Sequence, residues 1–91
     1  MNPAEVRDVL EQRGAILTGH FTLSSGRHSD VFVQKFRVLE RPRLTQALGE
    51  AIAGRFEGRF DVVATPAIGA IVLGFAVALA SDARMIFAER V

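Results

Sequence analysis

The stretch Phe60–Ala88, FDVVATPAIGAIVLGFAVALASDARMIFA, decides the fold. Phe60 to Ala64 is a short apolar run rich in β-branched residues, which suits a buried strand. Thr65 to Gly69 then reads as a loop of small residues. Ala70 to Ala80 is apolar nearly all round, and predicts a helix covered on most sides. Ser81, Asp82 and Ala83 turn the chain, and Met85 to Ala88 is a second apolar strand. Strand, loop, helix and strand in this order make a βαβ unit with parallel strands and a right-handed crossover. A membrane span is a weaker reading of the uncharged run Ala64 to Ala80. Its length is at the lower limit of about 17 residues, and Pro66, Gly69 and Gly74 interrupt it. Parallel sheets are buried on both faces, and two strands cannot achieve that alone. The expectation is therefore an α/β class, with this chain the N-terminal part of a longer protein. If it is complete, it must pair heavily with another chain.

Upstream, a helix fits from about Pro42 to Phe56, with Leu44, Leu48, Ile52 and Phe56 on one stripe. Another is marked at the start. Asn2 can cap it, Pro3 suits the first helical position, Glu5 completes a capping box, and Gly14 ends it. Between these helices Phe21 and Leu23 alternate around Thr22, a polar turn runs from Ser24 to Ser29, and Val31 to Gln34 returns as a strand. That is a hairpin.

Composition narrows the function. Half of the 91 residues are apolar, which argues strongly against a disordered chain. Eleven basic and ten acidic side chains nearly cancel, so no global field draws nucleic acid. There is no cysteine, which removes disulfides and thiolate metal sites and suits the cytoplasm. Met1 to Asp8 has no apolar run and is not a signal peptide.

Three segments can meet a ligand. Ligands of open α/β sheets bind beyond the carboxyl ends of the strands. Thr65 to Gly69 lies there, leading into a helix whose N-terminus favours an anion; an ordinary strand-to-helix turn accounts for it equally well. Arg90 follows the other strand and can grip a phosphate with two parallel hydrogen bonds; Glu89 and Arg90 as a solvated charge pair is the plainer reading. In the hairpin, Ser24, Ser25, Arg27 and Ser29 can donate to an oxyanion or carboxylate, or simply make a polar turn. His20 and His28 have no Asp or Cys at metal or triad spacing and read as surface or capping residues. Phe32 is either core or a platform for a planar ring.

Together these segments resemble the N-terminal half of the orotate phosphoribosyltransferase family. "GHFTLSSGRHSDVFV" is similar to that family's hood hairpin, "FDVVATPAIGAIVLGFAVALA" to its first core strand, pyrophosphate loop and helix, and "RMIFAERV" to its next strand. The resemblance implies a type I phosphoribosyltransferase fold, with helix and hood in residues 1–40 and the first part of the α/β core in 41–91. It implies transfer of ribose 5-phosphate from phosphoribosyl pyrophosphate to orotate, with Mg²⁺, in a cytoplasmic homodimer that needs neither nucleic acid nor membrane. By the same resemblance Ser24, Ser25, Gly26, Arg27 and Phe32 bind orotate. Ala67, Ile68, Gly69 and Arg90 bind phosphoribosyl pyrophosphate, often with a non-proline cis peptide in the loop. No residue here is implied as catalytic acid, base or metal ligand. Lysines common in the family are replaced by Ser24 and Gly69, and a usual glycine by Ala70. The chain stops before the family's mobile catalytic loop, its acidic strand and its phosphate cradle, so these 91 residues alone are expected to be inactive. A phosphoribosyltransferase for another base, and a non-catalytic ligand-sensing or association module on the same fold, are the alternatives.

Overall fold

A computed structural model describes Met1 to Arg90; Val91, the last residue of the segment RMIFAERV, lies outside the described residues. The chain divides into two units, one of Asn2–Glu40 and one from Arg41 onward.

In the first unit, helix α1 (Pro3–Gln12) opens with a full capping box. The Asn2 side chain accepts from the Glu5 amide at 2.8 Å, and the Glu5 carboxylate accepts from the Asn2 amide at 3.3 Å. Two amides that the helix leaves unpaired are thus satisfied. Gly14, with φ of +68°, reverses the chain after the helix. Strands β1 (Ile16–Thr22) and β2 (His28–Val33) pair antiparallel, with Leu17 opposite Phe32 and Thr22 opposite His28. The Gln34 amide donates to the Ala15 carbonyl at 2.7 Å, one step beyond the ladder. A short helix α2 (Phe36–Leu39) follows and touches α1. The sequence pattern does not reveal α2, because four residues are too few to display a helical period.

In the second unit, α3 (Pro42–Arg55) precedes the βαβ motif of β3 (Val62–Pro66), α4 (Ile71–Ser81) and β4 (Arg84–Ala88). The strands are parallel, running from Val62 opposite Arg84 to Pro66 opposite Ala88. β3 extends two residues beyond the apolar run, because Thr65 and Pro66 still pair with β4. Pro66 has no amide to donate, and the next bond to β4 is made by the Ala67 amide to the Ala88 carbonyl. Helix α4 ends on Asp82 in the left-handed conformation, φ 53°, with its amide bonded to the Ala78 carbonyl. No helix among the described residues is long and apolar enough to cross a membrane.

The packing of α3 corrects the expected stripe. Its buried residues are Thr45, Gly49 and Ala53, while Leu44, Leu48 and Ile52 are half-buried and Phe56 is exposed. The reason is close approach to α4. A Cβ on Gly49 would lie 2.6 Å from the backbone carbon and from the Cβ of Ala76. Small residues face the partner helix, and the larger ones flank the contact. The other side of α4 is just as tight against the sheet. A Cβ on Gly74 would lie 2.5 Å from Thr65 Cγ2 and 2.9 Å from Met85 Cε. The Thr65 hydroxyl is buried beside this contact without a hydrogen-bond partner among the described residues.

Two glycines on one helix should therefore respond oppositely to alanine. Gly54 has nothing within 4 Å of its would-be Cβ. Gly54→Ala should stabilise by up to about 1 kcal/mol through helix propensity. Gly49→Ala gains the same propensity but forces methyl against backbone, an overpacking cost of about 1–3 kcal/mol. Thermal melts should show Gly54→Ala above the parent and Gly49→Ala below it. Equal upward shifts would mean that the α3–α4 contact is not close.

Candidate functional site

The hairpin's turn is tighter than its polar length suggests. The Gly26 amide donates to the Leu23 carbonyl at 2.9 Å, and the Leu23 amide donates to the Arg27 carbonyl at 2.7 Å. The loop proper is Ser24-Ser25-Gly26, with Gly26 left-handed at φ +86°. A three-residue hairpin loop needs a left-handed residue at that place, and glycine supplies it without a Cβ clash. His28 and Ser29, expected within the turn, therefore belong to β2.

Ser25 Oγ accepts from the Arg27 amide at 3.4 Å, which tethers the loop to its own exit. The side chains of Ser24, Ser25 and Arg27 are exposed. Among the described residues no ion pair engages the Arg27 guanidinium. Ser29 is directed inward on itself: its hydroxyl donates to the Val31 carbonyl at 2.7 Å and accepts from the Val31 amide at 3.2 Å. That leaves Ser29 less free to serve a ligand than its neighbours in the loop. Phe32 lies against Phe21, ring centroids 5.6 Å apart and planes inclined by 33°, and it remains 37% exposed. It is half packed and half available.

The second unit presents the other group. The Ala67 amide donates to the Ala88 carbonyl at 2.9 Å, so the loop after β3 is tied to the end of β4, two residues before Arg90. The Ala67–Ile68 peptide is cis. The Ile71 amide donates to the Ile68 carbonyl at 3.1 Å, and Ala70 caps α4 without a side-chain hydrogen bond. Ile68 is 79% exposed. The start of α4 thus offers backbone amides and the positive end of a helix dipole beside a loop without charged side chains. Glu89 and Arg90 are exposed and form no ion pair among the described residues. The structure so brings Ala67, Ile68 and Gly69 next to the strand end that carries Arg90, and Ser24 to Arg27 onto one turn.

One arrangement escaped the sequence reading. His28 Nδ1 lies 2.8 Å from His20 Nε2 across the hairpin. No short spacing announces it, since the two residues meet only through strand register and a bulge. Counting outward from a turn centred on Ser24 to Gly26 is the signal that finds it.

The chain is 46% identical over 94 residues to an orotate phosphoribosyltransferase of Methylorubrum extorquens (strain PA1), an alignment that covers 99% of this chain and 47% of that protein. Over nearly its whole length the chain is homologous to orotate phosphoribosyltransferases. A second relative of that name, from Thermus thermophilus, is 45% identical over 87 residues, 94% of this chain and 48% of the relative. Among solved structures, orotate phosphoribosyltransferase from Aeropyrum pernix matches with a TM-score of 0.75 and 28% identity, covering 94% of this chain and 50% of that one. Leishmania donovani UMP synthase shares the fold with a TM-score of 0.81 at 20% identity, over 96% of this chain and 20% of that one. No family model matches. The chain spans about half the length of the curated relatives it matches. The α/β fold with a hairpin and a small parallel sheet is the fold that orotate phosphoribosyltransferases show over that half.

The turn makes a prediction of its own. Gly26→Ala puts a Cβ into a left-handed position, at about 1–2 kcal/mol. Ser24→Ala, in the same exposed loop, should stay within about 0.5 kcal/mol of the parent. Denaturant melts of the two variants test this, and equal midpoints would show that Gly26 is not held left-handed.

Proposed function

We propose that this chain supplies the orotate-binding and diphosphate-binding portion of an orotate phosphoribosyltransferase. That enzyme moves ribose 5-phosphate from phosphoribosyl pyrophosphate to orotate, releasing pyrophosphate, in the synthesis of pyrimidine nucleotides. The observation that carries the reading is the loop Ala67 to Gly69, at the uncapped start of α4 and hydrogen-bonded to the strand that leads into Arg90.

The reaction displaces a diphosphate from an anomeric carbon. Its chief demands are positioning and neutralisation of the charge on the leaving group. In this reading the backbone of Ala67, Ile68 and Gly69 lines the diphosphate, with the Ala67 amide held by the Ala88 carbonyl and the amides of Ile68 and Gly69 left to donate. Arg90 adds a full positive charge and a planar pair of donors matched to phosphate oxygens. Ser24, Ser25 and Arg27 hydrogen-bond the carboxylate and the exocyclic carbonyl oxygens of orotate. Gly26 shapes the turn that aims them, and the open side of Phe32 meets the pyrimidine ring.

Among the described residues no cluster of three His, Cys, Asp or Glu side chains can hold a metal ion. We propose that Mg²⁺ is carried by the substrate's own phosphates and by the remainder of the family fold, beyond the half that this chain matches. We also propose that the enzyme works as a cytoplasmic homodimer. The exposed apolar row Val72, Phe75 and Leu79 on α4 supports association of some kind.

Removing the Arg90 guanidinium should cost about 1.5–3 kcal/mol of charge-assisted hydrogen bonding. In the intact protein, Arg90→Ala should then lower kcat/KM for orotidine 5'-monophosphate synthesis by about 10- to 100-fold. An unchanged value would remove Arg90 from the site. Calorimetry with orotate and hypoxanthine tests the base, and tighter binding of hypoxanthine would overturn the assignment.

A further inference from the structure

His20 and His28 serve no part of the proposed reaction, yet the hairpin sets them face to face. Both are exposed, with ring centroids 4.8 Å apart and planes inclined by 36°. Side chains alternate along a strand, so His28 and Asp30 share one face of β2. Thr22 stands opposite His28, which places Thr22 and His20 on that same face. The register then slips between Thr18 and Phe21, where Gly19 and His20 together oppose Asp30. Gly19 carries the bulge at φ +151°. A bulge of this kind re-aims a side chain and raises local twist. Here it accompanies the approach of the His20 ring nitrogen to that of His28.

Packing does not explain the pair. The hairpin is held by its ladder and by Phe21 against Phe32. One exposed side-chain hydrogen bond adds about 1 kcal/mol. Two imidazole nitrogens directed at one another across two strands are, in contrast, a ready chelate. Imidazole suits zinc, copper, nickel and related ions, whereas Mg²⁺ and Ca²⁺ prefer oxygen.

We propose that His20 and His28 form a two-imidazole site for a transition-metal dication such as Zn²⁺ or Ni²⁺. A metal about 2.0–2.1 Å from each nitrogen in tetrahedral geometry separates the two by roughly 3.3 Å. The present 2.8 Å contact reaches that spacing by a small opening of exposed rings. Metal binding selects the tautomers that carry each N–H on the far nitrogen, so both facing nitrogens offer lone pairs. Nothing is oxidised, and water completes the coordination. Bound metal joins β1 to β2 close to the Ser24-Ser25-Gly26 loop and resists opening of the hairpin. The inference stands on hairpin geometry alone and does not depend on the proposed reaction.

Titration of the intact protein with zinc chloride, in a buffer that does not chelate, tests the site. One Zn²⁺ per chain is expected, with the signals of both His20 Nε2 and His28 Nδ1 shifting together in nitrogen-resolved NMR. His20→Ala and His28→Ala should each weaken binding at least about tenfold, because a two-point attachment becomes single. At free Zn²⁺ about 100 times Kd, hydrogen exchange of the β1 and β2 amides should slow by about 100-fold, and either substitution should abolish the effect. The NMR arm uses the unaltered protein and stands even if a variant misfolds. A shift at one ring only, affinity indifferent to both substitutions, or no binding at millimolar Zn²⁺ would overturn the proposal.

Discussion

Helix α4 is held between two surfaces that both approach it at backbone distance. Gly49 of α3 admits Ala76 on one side, and Gly74 of α4 admits Thr65 and Met85 on the other. Glycine inside a helix costs about 1 kcal/mol relative to alanine. Two of them placed at the two contacts indicate that proximity outweighs propensity here. The position of α4 in turn determines where its N-terminus lies relative to the ends of β3 and β4. The loop Ala67 to Gly69 and the exit toward Arg90 inherit their places from that packing.

Much of this was legible in the sequence where local chemistry decides the outcome. Asn2, Pro3 and Glu5 mark a helix start through hydrogen bonds that need no distant partner. Val62, Val63 and the apolar run Ala70 to Ala80 announce strand and helix by composition. The face of α3 was not legible, because hydrophobic periodicity points to Leu44, Leu48 and Ile52. Steric closeness selected Thr45, Gly49 and Ala53 instead. Periodicity reports what avoids water, but not how near the neighbour comes.

The candidate site divides along the same line. A turn containing Ser24, Ser25 and Gly26 is readable from residue type, since left-handed backbone calls for glycine. That His28 and Ser29 lie in a strand is not readable, because hydroxyls and imidazoles carry no strong preference against a short edge. The coupling of Ala67 to Ala88 depends on two strands distant in sequence and is invisible until they pair. The meeting of His20 with His28 needs register and bulge together. Site roles in this chain thus rest on residue type, while the geometry that gives those types their neighbours is tertiary.

The three-residue loop at Ser24 to Gly26 also bears on the order in which the chain acquires structure. Contacts such as Thr22 with His28 close a very short segment, so little chain entropy is lost before pairing begins. Isolated hairpins of this kind form within about 1–10 μs. Val62 and Arg84 can pair only after the whole of α4 has crossed between them. Non-local parallel pairing of that sort is intrinsically slower. During synthesis the hairpin is thus the part that can form first, while the parallel strands still await the helix that separates them.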